Sequence, residues 1–137
     1  MALRMNAKQK LLKQVPLFAR CSGPELEAIG KIADELDFKE GKELAREGAA
    51  GREFFVIVSG TAEVTRKKKK LRTLSDGDFF GEISLITRLP RTASVTTISP
   101  TRALVIIDRS FRRMLDDSPG IQRKVLEALG ERLERTP

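Results

Sequence analysis

The chain contains no His, no Trp and no Tyr, and its single Cys is Cys21. Without His there is no Ser-His-Asp or Cys-His nucleophile, no His-ligated zinc or copper, no facial triad for iron and no ordinary metal-dependent cupin. One thiol forms no internal disulfide and cannot hold an iron–sulfur cluster alone, so the composition fits a reducing cytosol and a protein with neither metal nor cofactor. Long apolar runs are missing as well. The longest, Phe54 to Val58 and Ala103 to Ile107, fall far short of the roughly 18 residues that span a bilayer. Arg4, Lys8, Lys10 and Lys13 punctuate the N-terminus, which therefore has no apolar signal-peptide core. These absences predict a cytoplasmic chain with no membrane span, and they remove most routes to catalysis.

What is present suffices for one packed domain: 137 residues, 40% of them hydrophobic. Lys and Arg number 26 against 19 Asp and Glu, a net charge of +7 that concentrates anions without identifying one. DNA, phospholipid and small phosphate esters all remain candidates. The densest basic cluster, Arg66 to Lys70 followed by Arg72, has no interleaved aromatic and so lacks the stacking platform of single-strand binders. Its shortness favours a solvated hairpin tip over a binding patch.

Leu11, Leu12 and Val15 recur near helical spacing until Pro16, which predicts a short opening helix. Ser22-Gly23-Pro24-Glu25 has capping-box spacing, and Leu26, Ile29, Ala33 and Leu36 continue at helical intervals, so a second helix is expected through about residue 36. From about 37 to 107 the pattern changes to short β-rich runs separated by glycine, the punctuation of a sandwich or jelly roll. Strands are expected at 43–46, 54–59, 61–66, 71–74, 92–98 and 102–107. Helical period returns at about 108–135, with Asp108 as cap, then Phe111, Met114 and Leu115, and a last helix from Ser118-Pro119. That helix is expected to carry Ile121, Val125, Leu126, Leu129 and Leu133 on one face. The stripe could pack on the sandwich, pair two chains or cover a ligand.

Between two strands lies FFGEISLITRLPRTASV, residues 79–95. Gly81 permits a sharp turn, the backbone N–H groups of Ile83, Ser84 and Leu85 would point outward from a first helical turn, and Arg91 can fork onto two anion oxygens. Glu82 is the anomaly. A carboxylate beside a phosphate is repelled unless it accepts from something else, and a ribose hydroxyl is the usual donor when the ligand is a nucleotide. A plain turn with a surface ion pair uses the same residues.

At these residues the sequence resembles the cyclic nucleotide-binding domain family, found in protein kinase A regulatory subunits, catabolite activator protein and cyclic-nucleotide-gated channels. The family's phosphate-binding cassette is matched by Phe80-Gly81-Glu82-Ile83-Ser84-Leu85 and by Pro90-Arg91-Thr92-Ala93-Ser94-Val95. The resemblance runs from about Leu11 to Leu133, through LLKQVPLF, REGAAGREFFVIVSG, Gly77-Asp78 and DRSFRRML. It implies a mainly β fold, an eight-stranded β-roll of the jelly-roll type with α-helices at both ends, occupying the chain as one domain. It also implies that Glu82 takes the ribose 2'-hydroxyl and Arg91 the cyclic phosphate, that Gly81, Ile83 and Ser84 allow close backbone approach, and that Thr92 and Ala93 follow along the ligand. The ligand implied is cAMP, with cGMP left open by the hydroxyl of Thr92. Kinase regulatory subunits have an acidic residue supporting the phosphate arginine; here Arg52 stands in that place, and Glu53 is the candidate substitute.

The function expected is that of a non-enzymatic sensor, signalling through its C-terminal helices with Leu85 and Phe111 at the hinge and Leu126, Leu129 and Arg132 at the lid. The alternatives are an effector domain excised from a catabolite-activator-type DNA-binding regulator and a non-binding interaction module. A jelly-roll enzyme is disfavoured by the lack of His. Expected partners are the nucleotide, an effector domain or protein outside this sequence, and a second copy of the chain joined through the last helix. Direct DNA reading is not expected, because the seventeen residues after Gly120 cannot form a helix-turn-helix domain.

Overall fold

The computed structural model describes residues 2–87 and 89–135. Eight antiparallel strands form two four-stranded sheets, and helices lie before and after them in sequence. The chain divides into a helical unit, made of residues up to Ala33 and from Arg109 onward, and a β unit from Asp34 to Asp108.

In the helical unit, α1 (Met5–Lys13) is followed by a 3-10 turn at Pro16–Phe18 and by α2 (Gly23–Ile32). The start of α2 follows from its cap. Ser22 Oγ accepts from the Glu25 N–H, and the Glu25 carboxylate accepts from the Ser22 N–H at 2.8 Å, so two otherwise orphaned donors are satisfied. Its end departs from the helical period, which would have carried the helix to Leu36. The helix stops at Ile32, Ala33 is extended, and Lys8 Nζ donates to the carbonyls of Gly30 and Ala33. After α4 (Asp108–Asp117), α5 (Pro119–Arg135) completes this unit. Phe18 and Phe111 meet at 5.9 Å between ring centroids. The expected single apolar face of α5 is divided: Ile121 and Val125 are buried, Leu129 is half-buried, and Leu126 and Leu133 face water. At 3.6 residues per turn, positions 126 and 133 sit to one side of the 121–125 line, so the stripe is wider than the surface that covers it.

The β unit opens earlier than expected, with β1 (Asp34–Phe38) paired along β8 (Thr101–Ile107). Leu36, placed on a helix by its spacing, is a strand residue and largely exposed. Ladder hydrogen bonds to β8 override the weak 3.6-residue period here. The first sheet has the order β1-β8-β3-β6, with β3 at Glu53–Ser59 and β6 at Phe79–Phe80. The two longest apolar runs of the sequence are thus its adjacent central strands, β3 and β8. The second sheet, β2-β7-β4-β5, comprises Glu43–Ala45, Ser94–Thr97, Ala62–Arg66 and Lys69–Leu74. Ala45, Ile57, Ala62, Val64, Leu74 and Val95 form a buried cluster, and Phe55, Ala103 and Val105 form another; Leu44 and Phe80 pack against both. Phe80 stacks on Phe55 at 4.7 Å between centroids, anchoring the strand from which residues 81–91 depart.

Candidate functional site

Phe80 ends β6, and Gly81 turns the chain with φ of 84°, a left-handed conformation that favours glycine. Space gives a second reason for glycine there. A Cβ on Gly81 would lie against Arg91 Nη1 and 2.7 Å from the Glu53 carbonyl. The turn continues into α3 (Ser84–Thr87), with Ser84 N–H donating to Gly81 O at 3.1 Å and Leu85 N–H to Glu82 O at 3.2 Å. Two of the three N–H groups expected to face an anion are therefore spent inside the turn. The Ile83 N–H is not part of this ladder.

Arg91 is fixed at both its backbone and its side chain. Its N–H donates to Ala49 O and its carbonyl accepts from the Gly48 N–H, each at 2.8 Å, which pairs the cassette with the loop before β3. The guanidinium donates from Nη1 to Ser84 Oγ at 2.9 Å and from Nη2 to the Glu53 carbonyl at 2.7 Å. Among the described residues these bonds use two of its five donors and set the plane in which the rest are offered. Gly51 completes the arrangement, since a Cβ there would lie against Ser84 Oγ and 2.9 Å from Arg91 Nε. The arginine side chain runs between two glycines. Burial pushes its guanidinium below the usual arginine range and the charge of Glu53 pulls it back; arginine stays protonated throughout. Glu53 thus gives support through a backbone carbonyl and through its charge, while the Arg52 side chain is exposed.

Glu82 and Ser84 are both buried, each only 7% exposed, and Glu82 Oε2 is sealed from solvent. A carboxylate taken this far out of water needs compensation from hydrogen-bond donors or positive charge. Thr92 is exposed, and its carbonyl accepts from Arg66 Nε at 2.9 Å; Ala93 is half-buried against the core, and Ile83 is exposed. The structure brings Gly81, Ser84 and Arg91 into direct proximity. Of the hinge and lid candidates, Leu85 and Phe111 are buried, Leu129 is half-buried, and Leu126 and Arg132 are exposed. Gly51, Ala49 and Glu53 were not singled out as a group by the sequence. Their relation to Arg91 crosses about forty positions; the sequence offers Glu53 only as a substitute acidic support, and the one signal at Gly51 is an unexplained glycine before a strand.

A guanidinium held half-buried beside a glycine turn suits a small anion with a defined orientation. The family model of the cyclic nucleotide-binding domain matches residues 35–118, which include this whole arrangement. The chain belongs to the cyclic nucleotide-binding domain family. A cAMP-dependent protein kinase regulatory subunit of Mycosarcoma maydis is 37% identical to this domain over 136 residues, covering 90% of the chain and 25% of that protein. A cGMP-dependent protein kinase, isozyme 1, of Drosophila melanogaster is 36% identical over 132 residues, covering 88% of the chain and 17% of the relative. The domain therefore spans a quarter or less of these two proteins. In fold it is similar to the N-terminal domain of a transcriptional regulator from Streptomyces coelicolor, with a TM-score of 0.86 at 24% identity, covering 92% of this chain and 94% of that one.

Proposed function

We infer that this domain is a sensor in which cAMP, or alternatively cGMP, binds at the 81–93 segment and changes the state of the C-terminal helices. Arg91 binds the cyclic phosphate, Glu82 accepts from the ribose 2'-hydroxyl, Gly81, Ile83 and Ser84 lie close along the phosphate and sugar, and Thr92 and Ala93 line the ligand beyond. The observation that carries this reading is the held guanidinium of Arg91, oriented by Ser84 and Glu53 between two glycines that leave it room. No bond is made or broken in such a module. The ligand acts by preferring one arrangement of the helices, through Leu85 and Phe111 as hinge and Leu126, Leu129 and Arg132 as lid. A ~100-fold difference in affinity between two arrangements supplies about 2.7 kcal/mol, enough to reverse a modest bias. The output belongs to an effector outside these residues, and the cytoplasm is the compartment in which a free cyclic nucleotide would reach the site.

Glu82 offers the sharpest test of this assignment. Glu82→Gln should weaken the ribose nucleotide more than its 2'-deoxy analogue, because the analogue has already lost the donated hydrogen bond. Calorimetric titration of both ligands against both proteins closes the cycle. Equal losses for the two ligands would remove Glu82 from the sugar contact.

A further inference from the structure

The second concentration of chemistry in the β unit is the β4–β5 hairpin, whose tip carries Arg66 to Lys70 and then Arg72. It breaks three local rules together. The turn residues Lys67 and Lys68 have φ of 51° and 66°, where a two-residue hairpin normally uses Asn or Gly. Arg66 lies directly opposite Lys69, and like charges facing each other across a ladder repel. Finally, β5 is an edge strand whose residues from Lys69 to Thr73 are exposed on both faces, so burial does not offset that repulsion. Lysine on an edge strand guards against strand pairing between molecules, but this explains neither the lysines in the turn nor the exposed residue among them. That residue is Leu71, left without an opposite partner by the register shift between Val64 and Thr65 and 50% exposed. Local rules broken together at one place are expected at functional or strained sites.

The tip is also held in position. Arg66 Nε donates to Thr92 O, and the Lys67 N–H donates to the Glu47 carboxylate at 2.9 Å, so the charges project from a fixed base. They surround it, on both faces of the ribbon and in the turn. An acidic peptide strand would meet one face only. A dense anionic layer meets all of them at once. Four of the six cations are lysines, hydrated point charges rather than planar forks, and no aromatic is present to stack on a base. An exposed leucine adds little on a phosphate backbone, whereas at a bilayer it enters the boundary between headgroup and acyl chain. We propose that the β4–β5 hairpin docks this domain on an anionic phospholipid surface, with Arg66 to Lys70 and Arg72 among the headgroups and Leu71 inserted between them. Among the described residues no helix is long and apolar enough to cross a membrane, so the attachment is peripheral and reversible.

Sedimentation of the full chain with vesicles tests this. Vesicles of equal parts phosphatidylcholine and phosphatidylglycerol should capture it, and vesicles of phosphatidylcholine alone should not. Capture should weaken as salt rises. Removing a lysine near the surface costs about fivefold in partitioning, so Lys68→Ala with Lys70→Ala together should cost about 25-fold. Leu71→Ser should lower vesicle capture severalfold while leaving binding to a short DNA duplex unchanged. These side chains are exposed and outside the proposed nucleotide site, so the thermal midpoint and cyclic nucleotide affinity should match the parent in each variant. Equal capture by neutral vesicles, no capture by anionic ones, or insensitivity to all three substitutions overturns the proposal. Binding to duplex DNA that is tighter than capture by anionic vesicles at the same salt overturns it too, and makes the ribbon a nucleic-acid arm. Because nucleotide binding is measured separately, loss of the membrane role leaves the sensor reading standing.

Discussion

Arg91 carries most of the chemistry proposed here, and its surroundings say what its loss should do. Arg91→Ala removes the forked donor from a half-buried anion site and should weaken cyclic nucleotide binding by about 2 to 4 kcal/mol. Titration within about twofold of the parent would place the phosphate elsewhere. Ser84→Ala is a milder test of the same geometry. It takes away the acceptor of one Nη1 hydrogen bond, and a single such bond contributes about 1 kcal/mol, so an affinity loss of roughly fivefold is expected with the fold unchanged. At this scale the meeting of Gly81, Ser84 and Arg91 was legible because they lie within one short segment whose residue types suit an anion. Gly51 was not, because what matters about it is its distance from Arg91; Glu53 was legible as a substitute acidic support, but the carbonyl through which it holds the guanidinium leaves no mark in residue type.

Among the elements, α2 and the central strands were readable and β1 and β6 were not. A capping box and a five-residue apolar run are local signals. The residues Asp34-Glu35-Leu36-Asp37-Phe38 bear charges at three of five positions and make a strand only because β8 supplies the ladder. With two residues, β6 has no pattern to show. The cap of α2 also predicts a pH dependence. Lys124 first, then the Ser22 backbone, hold the Glu25 carboxyl below the usual glutamate range. A depressed folded value means stability that is present above the unfolded value of about 4.3 and lost as pH falls through the folded one. Glu25→Gln keeps a capping-box residue but loses the charge paired with Lys124, so it should lower stability by about 0.5 to 1 kcal/mol at neutral pH, and denaturant melts of the two proteins should converge in acid. The division of α5 leads to a separate expectation. Removing residues 126–137 keeps buried Ile121 and Val125, so the thermal midpoint should move little, while loss of the lid should weaken nucleotide binding by ~1 to 3 kcal/mol. A collapsed midpoint with unchanged affinity would make the end of the helix structural.

For the whole molecule, the net charge of +7 concentrates anions without identifying one, and the family match supplies the cyclic nucleotide-binding class. Two of its basic features are proposed to have different tasks, the half-buried Arg91 at the proposed nucleotide site and the exposed cations of the β4–β5 hairpin. The domain spans a quarter or less of the two kinase relatives compared above. The sensor reading depends on the domain's binding a cyclic nucleotide. Calorimetric titration of the purified chain with cAMP and with cGMP addresses that directly. The account predicts saturable binding of about one nucleotide per chain, tighter for cAMP than for cGMP and abolished or strongly weakened in Arg91→Ala. Absence of heat and of competition for both nucleotides up to ~1 mM, where binding would be worth less than about 4 kcal/mol, would contradict it.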